Sequence, residues 1–335
     1  MEPAGSSAND QARPKVRDLV TSLETAILVT VVYYDVFNRP LTAPEIARKL
    51  CGREADEAAV RAELAESRIL QRTLESTDGW FVLAGRVGLV QQFAAGAPTR
   101  RQKWRRAAGF AAAAQYVPFM RGIVVGGSVA IGAARPESDI DLVCLTAERR
   151  LWTARSCAGV LRVAWNHWRR KPLLSPKQDK IDLLHMMTVD APEAERQSLY
   201  SAALLRDGVV LHDEASAADR YAAANGWVRE YWPGFGGLCP AERPVLAHPI
   251  PRRLRRIVEW ALSGRLGDGV EYLIYRWWSA RWRRHWPAEE FETGRIVASR
   301  CVACVRPYFW EDAVMRRFQA RLGEAGMGTQ ASLSD

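Results

Sequence analysis

The residues best placed to do chemistry lie between Gly122 and Thr146, GIVVGGSVAIGAARPESDIDLVCLT. Ile123 to Val125 read as a short buried strand running into Gly126-Gly127-Ser128, where a helix can start with Ser128 as its cap. Two glycines let the backbone approach a ligand closely, and N–H groups exposed at a helix start suit phosphate oxygens. Ten residues separate Ser128 from Asp139-Ile140-Asp141, which leads into the apolar run Leu142 to Leu145. Along a strand, residues i and i+2 share a face, so Asp139 and Asp141 project together while Ile140 faces the core. Carboxylates so close repel each other unless a cation lies between them. Hard oxygen ligands that leave positions open for water and phosphate suit Mg²⁺. A lone GGS or a lone DxD arises often by chance, but in this order and spacing they predict a metal-nucleotide site.

The segment resembles the nucleotidyltransferase superfamily that includes DNA polymerase beta, whose signature is Gly-Gly/Ser, a spacer of this length, then Asp-x-Asp. More narrowly, YYDVFNRPLT (33–42), GSVAIGAARPESDIDLVCLT (127–146) and Arg150-Leu151-Trp152 look like a bacterial group of proteins. That group joins an N-terminal winged helix to a nucleotidyltransferase core and a helical tail. The resemblance covers roughly residues 23–215 and, more loosely, Val305 to Leu322. It implies transfer of a nucleoside monophosphate from an NTP such as ATP to an acceptor hydroxyl, with Mg²⁺ or Mn²⁺ and release of pyrophosphate. Carried over, Gly126, Gly127 and Ser128 would hold the nucleotide phosphates, and Asp139 and Asp141 would ligate the divalent ions. A third carboxylate would complete the acceptor-side ion and help deprotonate the hydroxyl. Asp182, in the strand-like run Lys180-Ile181-Asp182-Leu183-Leu184, is the candidate. Asp179 and Asp190 are rivals, and a core with no third catalytic carboxylate is the remaining alternative.

These residues need a frame. Of 335 residues, 47 Lys+Arg against 38 Asp+Glu leave a net charge of +9, with 48% hydrophobic and 25% charged residues. That composition excludes a wholly disordered, collagen-like or disulfide-knot chain, and the positive balance favours polyanionic partners. Residues 1–17 read as a disordered leader and 18–95 as a winged helix-turn-helix. The latter comprises a helix from Leu23 ended by Pro40, a second helix with a Thr42–Glu45 capping box, a third over Asp56–Glu66, then Ile69 to Leu74, the turn Thr77-Asp78-Gly79 and Trp80 to Leu83. Residues 96–215 read as the nucleotidyltransferase core with a small mixed sheet, 216–325 as a helical Arg/Trp-rich region, and 326–335 as a disordered tail. The fold class is α+β.

The third helix of the N-terminal module carries Asp56, Glu57, Glu63 and Glu66 against Arg61 alone, a poor match to a phosphate backbone. Nucleic acid is thus a possible partner but not the favoured one. Arg100, Arg101, Lys103, Arg105 and Arg106 could draw in phosphate or form a solvated face. The Arg/Trp-rich stretch from Pro251 to Trp286 could stack bases, or bury its Trp stripe on the core with Arg stems at the edges. Leu151 to Trp168 reads as a core helix rather than a membrane-surface one. Cys301 and Cys304 form one CxxC in a helix-like stretch with no second pair, and the five His lack metal-ligand spacing. His185, three residues after Asp182, is expected on the opposite face of its strand. With no signal peptide and no membrane span, the expected location is cytoplasmic. The favoured function is a Mg²⁺-dependent nucleotidyltransferase whose acceptor is a small molecule, a protein or an RNA end. The alternative is a nucleotide-sensing, nucleic-acid-binding or regulatory protein with a weakly active or inactive core.

Overall fold

The computed structural model describes residues 20–168, 180–191, 197–243, 245, 248–305 and 309–327. The expected leader 1–17 and most of the expected tail 326–335 lie outside them. The chain forms two compact units. One comprises residues 1–93, 229–234 and 310–335; the other comprises 94–228 and 235–309.

In the first unit, helix Leu23–Asp35 is buried all round from Ala26 onward, as its nearly uninterrupted apolar sequence requires. Phe37 and Arg39 both donate their N–H to the Tyr34 carbonyl at 3.1 Å, closing the helix well before Pro40. Strand β1 (Leu41–Thr42) leads into helix Ala43–Lys49, where Glu45 Oε2 accepts the Thr42 N–H at 3.0 Å in the expected capping box. Helix Glu57–Glu66 follows, capped by Asp56 Oδ1 on the Ala59 N–H at 2.7 Å.

Ile69 to Thr73 is helical rather than the arm of a hairpin. The Ser67 hydroxyl accepts the Leu70 N–H at 3.1 Å and starts helix Arg68–Thr73, so the hairpin begins only at β2 (Leu74–Thr77) and returns as β3 (Trp80–Leu83). Asp78 and Gly79 have φ of 50° and 77°, the left-handed pair that a two-residue hairpin turn demands. The three strands lie in the order β1-β3-β2. Helix Phe309–Glu324 buries Val314, Phe318 and Leu322, as their i, i+4, i+8 spacing predicts, with the Phe318 ring 5.8 Å from that of Tyr33.

The second unit is built on a seven-stranded mixed sheet. Its strands are β4 (Met120–Val125), β5 (Ile140–Thr146), β6 (Ile181–Thr188), β7 (Val209–Asp213), β8 (Cys239–Pro240), β9 (Ile296–Ala298) and β10 (Val302–Val305), in the order β8-β7-β4-β5-β6-β10-β9. β5 and β6 are parallel, so the chain must cross over between them, and helix Leu151–Trp168 lies in that crossover. Trp152, Ala154 and Ala158 of this helix share one core with Ile140, Leu142, Cys144, Ile181 and Met186. The helix N-terminus is held from outside. Glu271, on helix Arg265–His285, accepts the Trp152 and Thr153 N–H groups at 2.7 and 2.8 Å and the Thr153 hydroxyl at 2.6 Å.

The sheet is larger than the sequence suggests because the region expected to be helical supplies three of its strands, β8, β9 and β10. β10 pairs antiparallel with β6, with Cys304 opposite His185. The CxxC is therefore not helical: Cys304 lies in a strand and Cys301 just before it. Four apolar residues in a row carry no periodicity that separates strand from helix.

Candidate active site

The register of the parallel pair sets Asp141 of β5 directly opposite Asp182 of β6. Asp139 stands one residue ahead of β5, on the same face as Asp141. Between them Ile140 pairs with Ile181, and both are buried in the core while the three Asp are only partly covered. The apolar residues thus anchor the strand ends from one side of the sheet and leave the partly covered carboxylates on the other. Asp190 lies exposed in the turn beyond the far end of β6, away from this cluster. Asp179 lies outside the described residues.

The glycine loop comes to the same point. Val125, the last residue of β4, pairs with Leu142, and the Gly126 N–H donates to the Asp141 carbonyl at 3.1 Å. Gly127 has φ +58°, and a Cβ there would sit 2.4 Å from Asp141 Oδ2. Only glycine permits this approach of loop backbone to carboxylate. Gly126 differs: its φ of −116° suits any residue, and a Cβ would point into open space. The helix after the loop, Gly127–Ala130, is capped by Gly126, so Ser128 is not the N-cap. With left-handed backbone at Gly127, the helix starts two residues earlier than a Ser128 cap implies.

One residue of the basic stretch has a role that the sequence conceals. Lys103, on helix Ala97–Ala114, is fully buried and donates to the carbonyls of Pro136 and Ser138 at 3.1 and 2.5 Å. It ties down the loop that delivers Asp139 rather than offering charge to a ligand. Within a run of basic residues, nothing in the sequence marks this one as buried.

His185 also departs from simple strand alternation. A register shift between Asp141 and Val143 brings it opposite Val143, two residues along β5 from Asp141 and therefore on the Asp141 face. It is buried there, with Nε2 2.7 Å from Cys304 Sγ.

Electrostatically, the cluster is poised for a cation. Burial pushes the Asp141 carboxyl up to about 6, and repulsion from Asp182 and then Asp139 acts in the same direction. Three hard carboxylates on one face are the donor chemistry a small divalent ion prefers. Among the described residues no three His, Cys, Asp or Glu side chains are arranged so that they could together hold a metal ion. The donor set fits an ion that keeps open positions for phosphate and water, rather than a closed structural site.

Residues 113–205, which span the loop and all three Asp, match the family model described as a nucleotidyltransferase domain. The chain carries a nucleotidyltransferase domain. No curated protein and no solved structure matches the chain. The nucleotidyltransferase domain takes in β4, β5 and β6, and the sheet is completed by β7 to β10 from beyond the matched residues. Among the described residues no helix is long and apolar enough to cross a membrane.

The two glycines of the nucleotidyltransferase domain are expected to respond differently to a methyl group. Gly127→Ala should lower stability by about 1–3 kcal/mol through the strained φ and the clash with Asp141. Gly126→Ala should leave the unfolding midpoint unchanged yet weaken NTP binding, since its open space is where phosphate would approach. Thermal unfolding and calorimetric titration with NTP check both. Wild-type NTP affinity in Gly126→Ala would remove Gly126 from the phosphate site.

Proposed function

We propose that this protein is a Mg²⁺-dependent nucleotidyltransferase that moves a nucleoside monophosphate from an NTP to an acceptor hydroxyl. The observation that carries the reading is the juxtaposition of Asp141 with Asp182 across the parallel strands, with the Gly127 backbone against the Asp141 carboxylate. Asp139, Asp141 and Asp182 would hold the divalent ions, and Gly126 to Ser128 would hold the terminal phosphates. Bound there, the ions neutralise charge on the phosphates and lower the pKa of the attacking hydroxyl.

The remaining chemistry belongs to the chain. The glycine loop would offer its backbone N–H groups to the phosphates and fix the leaving pyrophosphate relative to the strand ends. The anchored loop after Pro136 holds Asp139 in place during the transfer. Asp182, near the start of β6, would accept the acceptor's proton as its oxygen attacks the α-phosphorus. The bond from that phosphorus to the bridging oxygen breaks, and pyrophosphate leaves with the electron pair.

The N-terminal unit is proposed to be a winged helix-turn-helix that contacts protein rather than DNA. Its Glu57–Glu66 helix exposes Glu57, Glu66 and the N-cap Asp56 against Arg61 alone, a balance that phosphates would repel. Incubation with each α-labelled NTP, Mg²⁺ or Mn²⁺ and a cell extract should move label into a metabolite, a protein or an RNA end. Label that stays in NTP for all four nucleotides, with wild-type and Asp141→Asn protein alike, would refute the transferase reading.

A further inference from the structure

Helix Pro249–Ala261, in the second unit, is inverted relative to an ordinary surface helix. Its inward side is polar. Arg255 is buried and donates to both Glu214 carboxylate oxygens at 2.7 and 2.6 Å and to the Gln115 carbonyl at 2.8 Å. Glu259, one turn on, accepts the Phe119 N–H at 2.5 Å and two Arg121 guanidinium N–H groups at 2.9 and 3.2 Å. Its outward side is apolar. Ile250, Leu254 and Ile257, at i, i+4 and i+7, form a stripe continued by Trp260, and all four are 61–80% exposed.

A surface helix normally turns such a stripe to the core, and a monomer rarely leaves large apolar side chains in water along one line. Here the ion pairs hold the stripe outward, so its exposure is set by the fold and is not a loose end. The next helix, Arg265–His285, also leaves Leu266, Leu273 and Trp277 more than half exposed.

The charges around the stripe select the occupant. Arg253, Arg256 and Arg265 are exposed, and Glu259, the single acid between Pro249 and Leu266, is turned inward. A second copy docking by the same face would set these arginines against their equivalents. Nucleic acid would meet, in this helix, three aliphatic side chains that neither stack on bases nor hydrogen-bond to them, with Trp260 the one ring of the stripe able to stack. An apolar stripe bordered by arginine is the chemistry of a helix lying in the interface of an anionic bilayer, with Ile, Leu and Trp among the acyl chains and the guanidinium groups at the headgroup phosphates.

We propose that helix Pro249–Ala261 is a peripheral membrane-binding element that seats this protein on anionic lipid. The inference is independent of the nucleotidyltransferase activity.

Co-sedimentation of the full chain with vesicles of phosphatidylcholine, alone or mixed with phosphatidylglycerol, tests it. The wild type should pellet with the mixed vesicles, much less with neutral ones, and less as salt is raised. The double substitution Leu254→Ser, Ile257→Ser should cut partitioning about tenfold or more without lowering the unfolding midpoint, because neither side chain packs in the core. Arg253→Gln and Arg256→Gln should each cost about fivefold on anionic vesicles. Wild-type protein left in the supernatant with both vesicles would overturn the proposal. So would Ser variants that pellet as the wild type does, or a concentration-dependent dimer that those variants abolish.

Discussion

Asp141→Asn is expected to reduce nucleotidyl transfer by on the order of a thousandfold while making the metal-free protein more stable. Both effects follow from one placement. The Asp141 carboxylate is crowded by burial and by Asp182 and Asp139, so the folded state holds its proton up to about pH 6, against a reference value of 3.8. Because the folded state binds that proton more tightly than the unfolded one, stability is greatest below the unfolded value. It falls as pH rises from about 4 to about 6 and is level above that. At neutral pH the ionised carboxylate costs on the order of 2–3 kcal/mol, which the amide does not.

The wild type without divalent ion should therefore lose stability over that acid window, and Asp141→Asn should not. Mg²⁺ should raise the unfolding midpoint of the wild type at pH 7 and do little for the variant, since binding to the folded state alone stabilises it. Thermal unfolding from pH 4 to pH 8, with and without Mg²⁺, measures all of this. An Asp141→Asn protein less stable than the wild type at pH 7 would show that the carboxylate serves structure instead of ion binding.

Glu271→Ala should produce the largest loss of stability among single substitutions outside the core, about 3 kcal/mol. The carboxylate is nearly fully buried and accepts two backbone N–H groups and one hydroxyl at the N-terminus of helix Leu151–Trp168. Those N–H groups have no partner within their own helix, and the negative charge complements the helix dipole. Alanine leaves them buried and unmet. Glu271→Gln keeps the shape but turns one N–H₂ toward other donors, so it should recover only part of the loss. Because this helix is the crossover that sets β6 parallel to β5, Glu271→Ala should also weaken NTP binding through Asp182, with no direct contact to the site. Urea unfolding of the three proteins gives the ranking, and equal midpoints for alanine and wild type would refute the capping role.

The sequence marked the apolar stripe of the last helix, the capping box at Thr42 and Glu45, and the GGS and DxD elements. Each rests on residues within a few positions of one another, where turn chemistry and strand or helix period act directly. The hairpin start failed at Ile69 because one hydroxyl, Ser67, was enough to start a helical turn. The strand at Val302–Val305 was missed because so short an apolar run has no period of its own, and β6 supplies the missing half of the ladder. The outward stripe of helix Pro249–Ala261 was invisible for a related reason: amphipathic spacing shows that a helix has two faces, and only Glu214 and Arg121 decide which one turns inward.

By itself the sequence determined that Asp139 and Asp141 share a face and that a glycine turn precedes them, since alternation along a strand and tolerance of positive φ are local properties. Tertiary structure alone decided that Asp182 stands opposite Asp141, that Lys103 is buried beneath the loop carrying Asp139, and that His185 faces the Asp141 side. Those three facts depend on parallel pairing across a crossover helix, on packing between distant segments and on a register shift. The strand-like run around Asp182 marks it as a candidate without its register, and neither the burial of Lys103 nor the side taken by His185 leaves a pattern within the residues concerned.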